Sequence, residues 1–243
     1  MVIEGLVVAT ALAGVVLWCS IPGVSVLATE APTSTAFIDL RRAEAAARGE
    51  RLDIQLRWRP LARISRYLRA AVVYAEDDRF YEHEGVDWTA IEKALDTNWT
   101  RGALAVGGST ITQQLAKNLY LSPSRSLVRK LRELLIAHRL EDHLTKERIL
   151  ELYLNVVEWG PGVFGAEAAA QHWFGHAAAA LTPAEAARLA TALPNPFTRS
   201  PRVRAPALTR KAARLIRRMR SEHLIGAAEE RTALEAVGAA APR

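Results

Sequence analysis

Apolar positions recur every three to four residues over most of the chain, the period of amphipathic helices rather than of strands. After Pro60, the positions Ile64, Leu68, Ala71, Val72 and Ala75 form one stripe and predict a helix ending at Glu76. Gly85 breaks the pattern, and Asp87 is placed to cap a helix from Trp88 to about Thr100 by accepting its free amide protons. RGALAVGG (101–108) reads as a small-residue loop, and a third helix is expected from Ser109 or Thr110. Pro123 marks the entry to a fourth, SRSLVRKLRELLIAHRLEDHL. Its Leu127, Leu131, Leu134 and His138 share one side of the helical wheel and predict the core face, with Arg125, Arg129, Arg132 and Glu133 across from them. LTKERILELYLN continues as an amphipathic helix to Asn155, WGPGVFG turns, and AEAAAQHWFG and TPAEAARLATAL predict a helix pair before the break at PNPFTRSPRVRAP. A basic helix, TRKAARLIRRMRSEHL, and an alanine-rich stretch follow, with no internal repeat.

The N-terminus departs from this amphipathic pattern. From Gly5 to Ala28 the chain runs 24 residues without a charge. As a helix such a run covers about 36 Å, against a hydrocarbon core of roughly 30 Å. The expectation is a retained transmembrane anchor at 5–28. The alternative, a signal peptide cleaved after Val26-Leu27-Ala28, has a long apolar run for that purpose and no basic residues ahead of it. Arg41 and Arg42, the Lys or Arg residues nearest the run, follow it, and the positive-inside rule points that side toward the cytoplasm. TEAPTSTAF (29–37) reads as an extended linker. The globular domain is then expected at 38–225, with an alanine-rich tail at 226–243.

Composition agrees with a mainly helical protein. Half of the 243 residues are hydrophobic and only 7% aromatic, and runs such as AAAA and EAAR favour helix over strand. The formal charge of +6 suits an anionic partner: nucleic acid, a phospholipid surface or a phosphorylated substrate. Cys19 is the only cysteine, which excludes an intrachain disulfide and a cysteine-based metal site.

Candidate chemistry concentrates in a few stretches. AEDDRFYEHEGVD (75–87) places six carboxylates in thirteen residues, directly after the apolar run AAVVYA. Glu76 at the end of an apolar helix and Glu133 among arginines have contrasting environments: apolar burial raises a carboxyl pKa and cationic neighbours lower one. That divergence is what acid and base roles require. The plainer alternative is a surface pair of Glu133 with Arg129, four residues apart on a helix, and a solvated acidic loop after Glu76. GGSTITQQLAKN gathers Ser109, Thr110, Thr112, Gln113, Gln114, Lys117 and Asn118 at a helix start, either a seat for phosphate or simply a polar helix N-terminus. GxxxxGK[ST] is absent. His172 and His176 have zinc-pair spacing but no HExxH glutamate, which favours packed histidines. His83, beside Glu82 and Glu84, is expected to stabilise its turn by a hydrogen bond, with a role as a base as the alternative. The basic run Arg210 to Arg220 is expected to be a solvated helix face, with contact to nucleic acid or lipid headgroups as the alternative.

Together these stretches resemble a known family. EDDRFYEHEGVD is similar to the ED-x-x-F-x-x-H-x-G motif of the peptidoglycan glycosyltransferases, which polymerise lipid II and also form the N-terminal module of bifunctional penicillin-binding proteins. GGSTITQQLAKN resembles the second motif, RKLRE (129–133) the third and KERILELYLN (146–155) the fourth. With WGPGVFGAEAAAQHWFG and ALPNPFTRSP, the likeness covers Ser65 to Pro201; the fifth motif, an arginine-rich helix start, is only loosely echoed by TRKAARLIRRM. No Ser-x-x-Lys or Lys-Thr-Gly is present, so the likeness is to a monofunctional member.

The resemblance implies a lysozyme-like, two-lobed helical domain behind one N-terminal transmembrane helix. It sets that domain outside the cytoplasm on the bacterial inner membrane, against the direction of the flanking arginines. It implies glycan polymerisation from lipid II by inverting transfer with release of undecaprenyl diphosphate. Glu76 is then the general base, its pKa raised by apolar surroundings and by Asp77 as a like charge. Glu133 positions the donor's diphosphate, and Lys117, Arg125, Arg129 and Lys130 offset its growing charge. Ser109, Gln113, Gln114, Asn118 and Asp77 are carried over as substrate-binding residues. Glu133 is the candidate ligand for Mg²⁺ or another divalent cation; no organic cofactor is implied. The implied partners are lipid II, the growing glycan chain, the membrane, and cell-wall synthesis or division proteins, with no nucleic acid. A lysozyme-like hydrolase and a non-catalytic membrane adaptor are the rival readings.

Overall fold

The computed structural model describes residues 14–15, 20–101, 108–124, 126–203 and 205–239. Among the described residues are ten α-helices: α1 (Ala36–Ala47), α2 (Arg66–Glu76), α3 (Trp88–Arg101), α4 (Ile111–Tyr120), α5 (Leu127–His143), α6 (Lys146–Val156), α7 (Ala166–Phe174), α8 (Pro183–Ala192), α9 (Pro206–Ser221) and α10 (Ala227–Val237). Many of these helices start where a hydroxyl satisfies a free amide. Thr35, Ser65, Thr110, Ser126, Thr145 and Thr182 each accept a bond from a backbone N–H in the first turn. α8 and α9 begin with proline.

The helices form two groups around one continuous core. α2, α8, α9 and α10 pack on one another, and α4 packs against α1, α5 and α6. A three-stranded sheet lies beside them, β1 (Gln55–Leu56), β2 (Glu158–Gly160) and β3 (Val163–Phe164), in the order β1-β3-β2. β3 runs parallel to β1 and antiparallel to β2. The turn into α7 requires Gly165: its φ is +82°, and a Cβ there would lie 2.6 Å from the Asn155 carbonyl oxygen.

Several expectations need correction. Ser20 to Ala28 does not continue a membrane helix; it is a turn followed by a 3₁₀ helix at Ser25–Ala28, with Ile21, Val24 and Leu27 buried in the core. Arg132, Arg139 and Arg148 donate to the carbonyls of Ser20, Ile21 and Leu27 respectively. The rest of the expected anchor, residues 5–13 and 16–19, falls outside the described residues. Among the described residues no helix is long and apolar enough to cross a membrane. Arg41 and Arg42 belong to α1, paired with Glu158 (2.9 Å) and Asp39 (3.3 Å), so they are part of the folded domain. The 29–37 segment ends by capping and entering α1. The 226–243 segment contains α10, whose Ala233, Leu234 and Val237 are buried.

The face of α5 is reversed from the expectation. Leu127 is 91% exposed, Leu131 47% and His138 is also exposed, while Glu133, Ile136, Ala137 and Leu140 are buried. The buried set lies on the other side of the wheel. An apolar stripe shows that a helix is amphipathic; which side a neighbour covers depends on packing, here the contact of α5 with α4.

Candidate active site

Glu76 is the last residue of α2, whose Leu68, Ala71, Val72 and Val73 are buried. Its Oε2 accepts a 2.9 Å bond from Gln114 Nε2 on α4, and Gln114 Oε1 in turn accepts a 2.8 Å bond from the Tyr153 hydroxyl on α6. Burial pushes the Glu76 carboxyl above its ordinary value; the Gln114 bond and the charges of Lys211, Arg199 and Lys117 pull the other way. Glu76 lines two cavities. One, of about 420 Å³, includes Thr191, Pro194, Lys211, Arg214 and Arg218; the other, of about 270 Å³, includes Asp87, Thr89, Lys93, Ser109 and Thr110. Tyr74, Ala75, Glu76 and Asp78 border both. The carboxylate is thus mostly enclosed by protein yet opens onto space on two sides.

The acids after Glu76 divide by role. Asp77 is buried: Oδ1 lies 2.9 Å from His83 Nε2, and Oδ2 accepts the Ile111 backbone N–H at 2.9 Å. The Thr110 hydroxyl donates to the Gly85 carbonyl at 2.6 Å, so the loop is tied to the start of α4 at two points. Asp87 caps α3 through the Ala90 N–H at 2.9 Å, as expected, and meets Arg79 at 3.3 Å. His83 stabilises its turn as expected, and its carbonyl receives Lys146 Nζ at 2.5 Å. Asp78, Glu82 and Glu84 are exposed. With its oxygens turned to His83 and Ile111, Asp77 holds the loop.

Glu133 lies on α5, which packs against α4. It is 3% exposed, with Oε1 bonded by Lys130 and Oε2 by Arg129. The expected pairing with Arg129 is present, but it is buried rather than on the surface. Lys130 Nζ also reaches Ser109 Oγ (3.2 Å) and Gln113 Oε1 (3.3 Å). The Gln113 side chain completes a capping box with Thr110, and its buried Nε2, like Arg129 Nε, has no hydrogen-bond partner among the described residues. Donors without acceptors beside two cations suit a phosphate group. Lys117 is pushed below its ordinary value by burial, opposed by the charges of Glu133 and Glu76. Asn118 is buried on α4. Arg125 and the loop 102–107 lie outside the described residues.

As a metal ligand Glu133 fits poorly. Both of its oxygens already face cations, and among the described residues no group of three or more His, Cys, Asp or Glu could hold an ion. His176 pairs with Glu185 at 3.0 Å, and His172 stacks edge-on against Trp173.

The sequence-predicted residues therefore form two neighbouring clusters joined by α4. Gln114 serves Glu76, while Ser109, Gln113, Arg129 and Lys130 surround Glu133, and Lys117 feels both carboxylates. Missed from sequence were Tyr153, Arg199, Lys211, Arg214 and Arg218. The last three belong to the run expected as a solvated face, yet α9 turns them onto the larger cavity. Their stretches were singled out, but not these side chains.

A match to the family model described as Transglycosylase spans residues 45–220. The chain belongs to the transglycosylase family. Similar relatives each bear the name biosynthetic peptidoglycan transglycosylase. The protein of Aromatoleum aromaticum is 53% identical over 68% of this chain and 72% of its own length. That of Herminiimonas arsenicoxydans is 48% identical over 79% and 84%, and that of Bordetella pertussis 50% identical over 78% and 80%. The part matched to the transglycosylase model contains both carboxylates, Tyr153 and Lys211, and stops before α10.

Proposed function

We propose that this chain is a peptidoglycan glycosyltransferase that joins lipid II into glycan strands, with Glu76 as the base. The observation that carries the reading is Glu76 itself: enclosed, hydrogen-bonded by a neutral amide, and open to two cavities, with a cation-rich cluster beside it. In this reaction Glu76 takes the proton of the 4-hydroxyl of an N-acetylglucosamine. The freed oxygen bonds to the anomeric carbon of the growing chain, and the bond from that carbon to the diphosphate oxygen breaks. Attack and departure on opposite faces invert the anomeric centre. Lys117, Arg129 and Lys130, joined by Arg125, offset the charge that grows on the leaving undecaprenyl diphosphate. Ser109, Gln113, Gln114 and Asn118 orient the donor, and Glu133 holds Arg129 and Lys130 in place. The two helix groups correspond to the two lobes of a lysozyme-like domain.

The enzyme works at the cell envelope, where its substrates are made and used. We place the membrane at the exposed end of α5. Leu127, Val128 and Leu131 are exposed there, and Arg132 of the same helix bonds Ser20, where the apolar N-terminal run meets the domain. We read the apolar N-terminal run as a single-pass anchor in the bacterial inner membrane, with the domain outside the cytoplasm; the exposed apolar end of α5 beside Ser20 supports this reading. Sharing the bilayer with a lipid-linked donor and acceptor raises their local concentration.

The test is incubation of the purified full chain with labelled lipid II in detergent, with Mg²⁺ and with EDTA, beside Glu76→Gln and Glu133→Gln. Polymer from the wild type that is lost in both folded variants is the expected result. Shortening of preformed glycan without polymer would assign a hydrolase instead.

A further inference from the structure

Tyr153 is fully buried on α6, and among the described residues its hydroxyl has one hydrogen-bond partner, Gln114 Oε1 at 2.8 Å. A phenol in a dry core must donate its proton to something, because an unpaired buried O–H is costly. That requirement sets the Gln114 amide. With Oε1 turned to Tyr153, Nε2 faces Glu76 Oε2 at 2.9 Å. The inverted amide would put Oε1 against the carboxylate oxygen and leave the phenol proton without an acceptor. Inversion would suit a protonated Glu76, whose own O–H would donate to Oε1.

We propose that Tyr153 is a positioning residue for the glycosyl transfer: its hydroxyl locks the Gln114 amide with the nitrogen toward Glu76, which favours the proton-accepting carboxylate. The inference rests on the reading of Glu76 as the base. Burial drives the Tyr153 phenol well above its usual range, so it acts as a neutral donor at working pH. The other charged groups around Glu76 are Lys117 of α4, Lys211, Arg214 and Arg218 of α9, Arg199 between α8 and α9, and, along the smaller cavity, Asp78, Arg79, Asp87 and Lys93; Asp77 is engaged by His83. None of these sets the orientation of the amide.

The measurement is the pH dependence of kcat/KM for lipid II polymerisation by the full chain, comparing wild type, Tyr153→Phe, Gln114→Leu and the double variant. Without the hydroxyl, Gln114 inverts freely and stabilises protonated Glu76. The acid limb of Tyr153→Phe then moves up by about one pH unit, roughly a tenfold loss on the acid side that shrinks as pH rises. Adding Tyr153→Phe to Gln114→Leu moves the limb no further. A Tyr153→Phe limb that coincides with the wild type's, or an equal shift in the Gln114→Leu background, overturns the proposal. Should Tyr153→Phe fold poorly, 3-fluorotyrosine at position 153 keeps the ring and strengthens the donor. Its limb is expected below the wild type's, and an unmoved limb overturns the proposal. Activity retained by Glu76→Gln would instead refute the reading of the base, so the two failures are distinguishable.

Discussion

Glu76 and Glu133 both sit against α4 and are held in opposite ways. Glu76 meets a neutral amide, with Lys211, Arg199 and Lys117 acting only through their charge. Glu133 is gripped directly by Arg129 and Lys130. Consecutive residues of one helix serve them: Gln114 bonds Glu76, while Gln113 receives Lys130 from the Glu133 cluster. The difference separates two kinds of work. A carboxylate whose burial is only partly offset gains from taking up a proton, whereas one already bonded to two cations is better suited to holding those cations in place.

The largest effect should come from Glu76→Gln. Polymerisation of labelled lipid II is expected to fall by about 10³-fold, the scale of a lost general base. Its stability should move the other way. Burial raises the Glu76 carboxyl in the folded state, so the stability it contributes is present at low pH and is lost as pH rises through the folded value. The glutamine variant should therefore melt at a higher temperature than the wild type at pH 8, and the gain should shrink at pH 4. An equal gain at both would remove burial as the cause.

Glu133→Gln sharpens the contrast, because it strands two cations around a buried position. A stability loss of about 3 kcal/mol is expected from chemical denaturation, together with about 10²-fold lower activity. A stabilised Glu133→Gln would make the two acids alike and break the comparison. For the wild type, the acid limb of the rate should lie above where an exposed glutamate would put it; a limb at the ordinary carboxylate position would deny Glu76 its enclosed setting. The smallest effect tests α5, which carries Glu133. Ile136→Ala should cost about 2–5 kcal/mol, and Leu131→Ala about 0.5 kcal/mol or less. Equal costs would mean that α5 presents its other face to the core.

Much of this was legible in the chain. The stripe before Glu76 placed α2, Asp87 marked the start of α3, and the ordered motifs pointed to Glu76, Glu133 and the polar face of α4. Local signals sufficed because capping and amphipathic spacing act within a turn or two of helix. Other parts were not legible. β1 and β3 are two residues each and pair across more than a hundred positions, too short to leave an alternating pattern. α10 sat in a stretch whose composition suggested a tail, and α1 begins two residues inside the stretch read as a linker. The apolar run at 5–28 looked continuous, yet from Ser20 onward it contributes Ile21, Val24 and Leu27 to the core of the domain. Hydropathy does not distinguish a lipid neighbour from a protein one.

By itself the sequence determined where most helices begin and end and which stretches carry charge, since those outcomes rest on neighbours a few residues away. Only the tertiary structure decided which way α5 faces and that Lys211 reaches the cavity from α9. It also decided that Tyr153, 39 positions from Gln114, sets the face the amide turns to Glu76. These depend on contacts between helices, and the periodicity of any one helix is silent about what will pack against it.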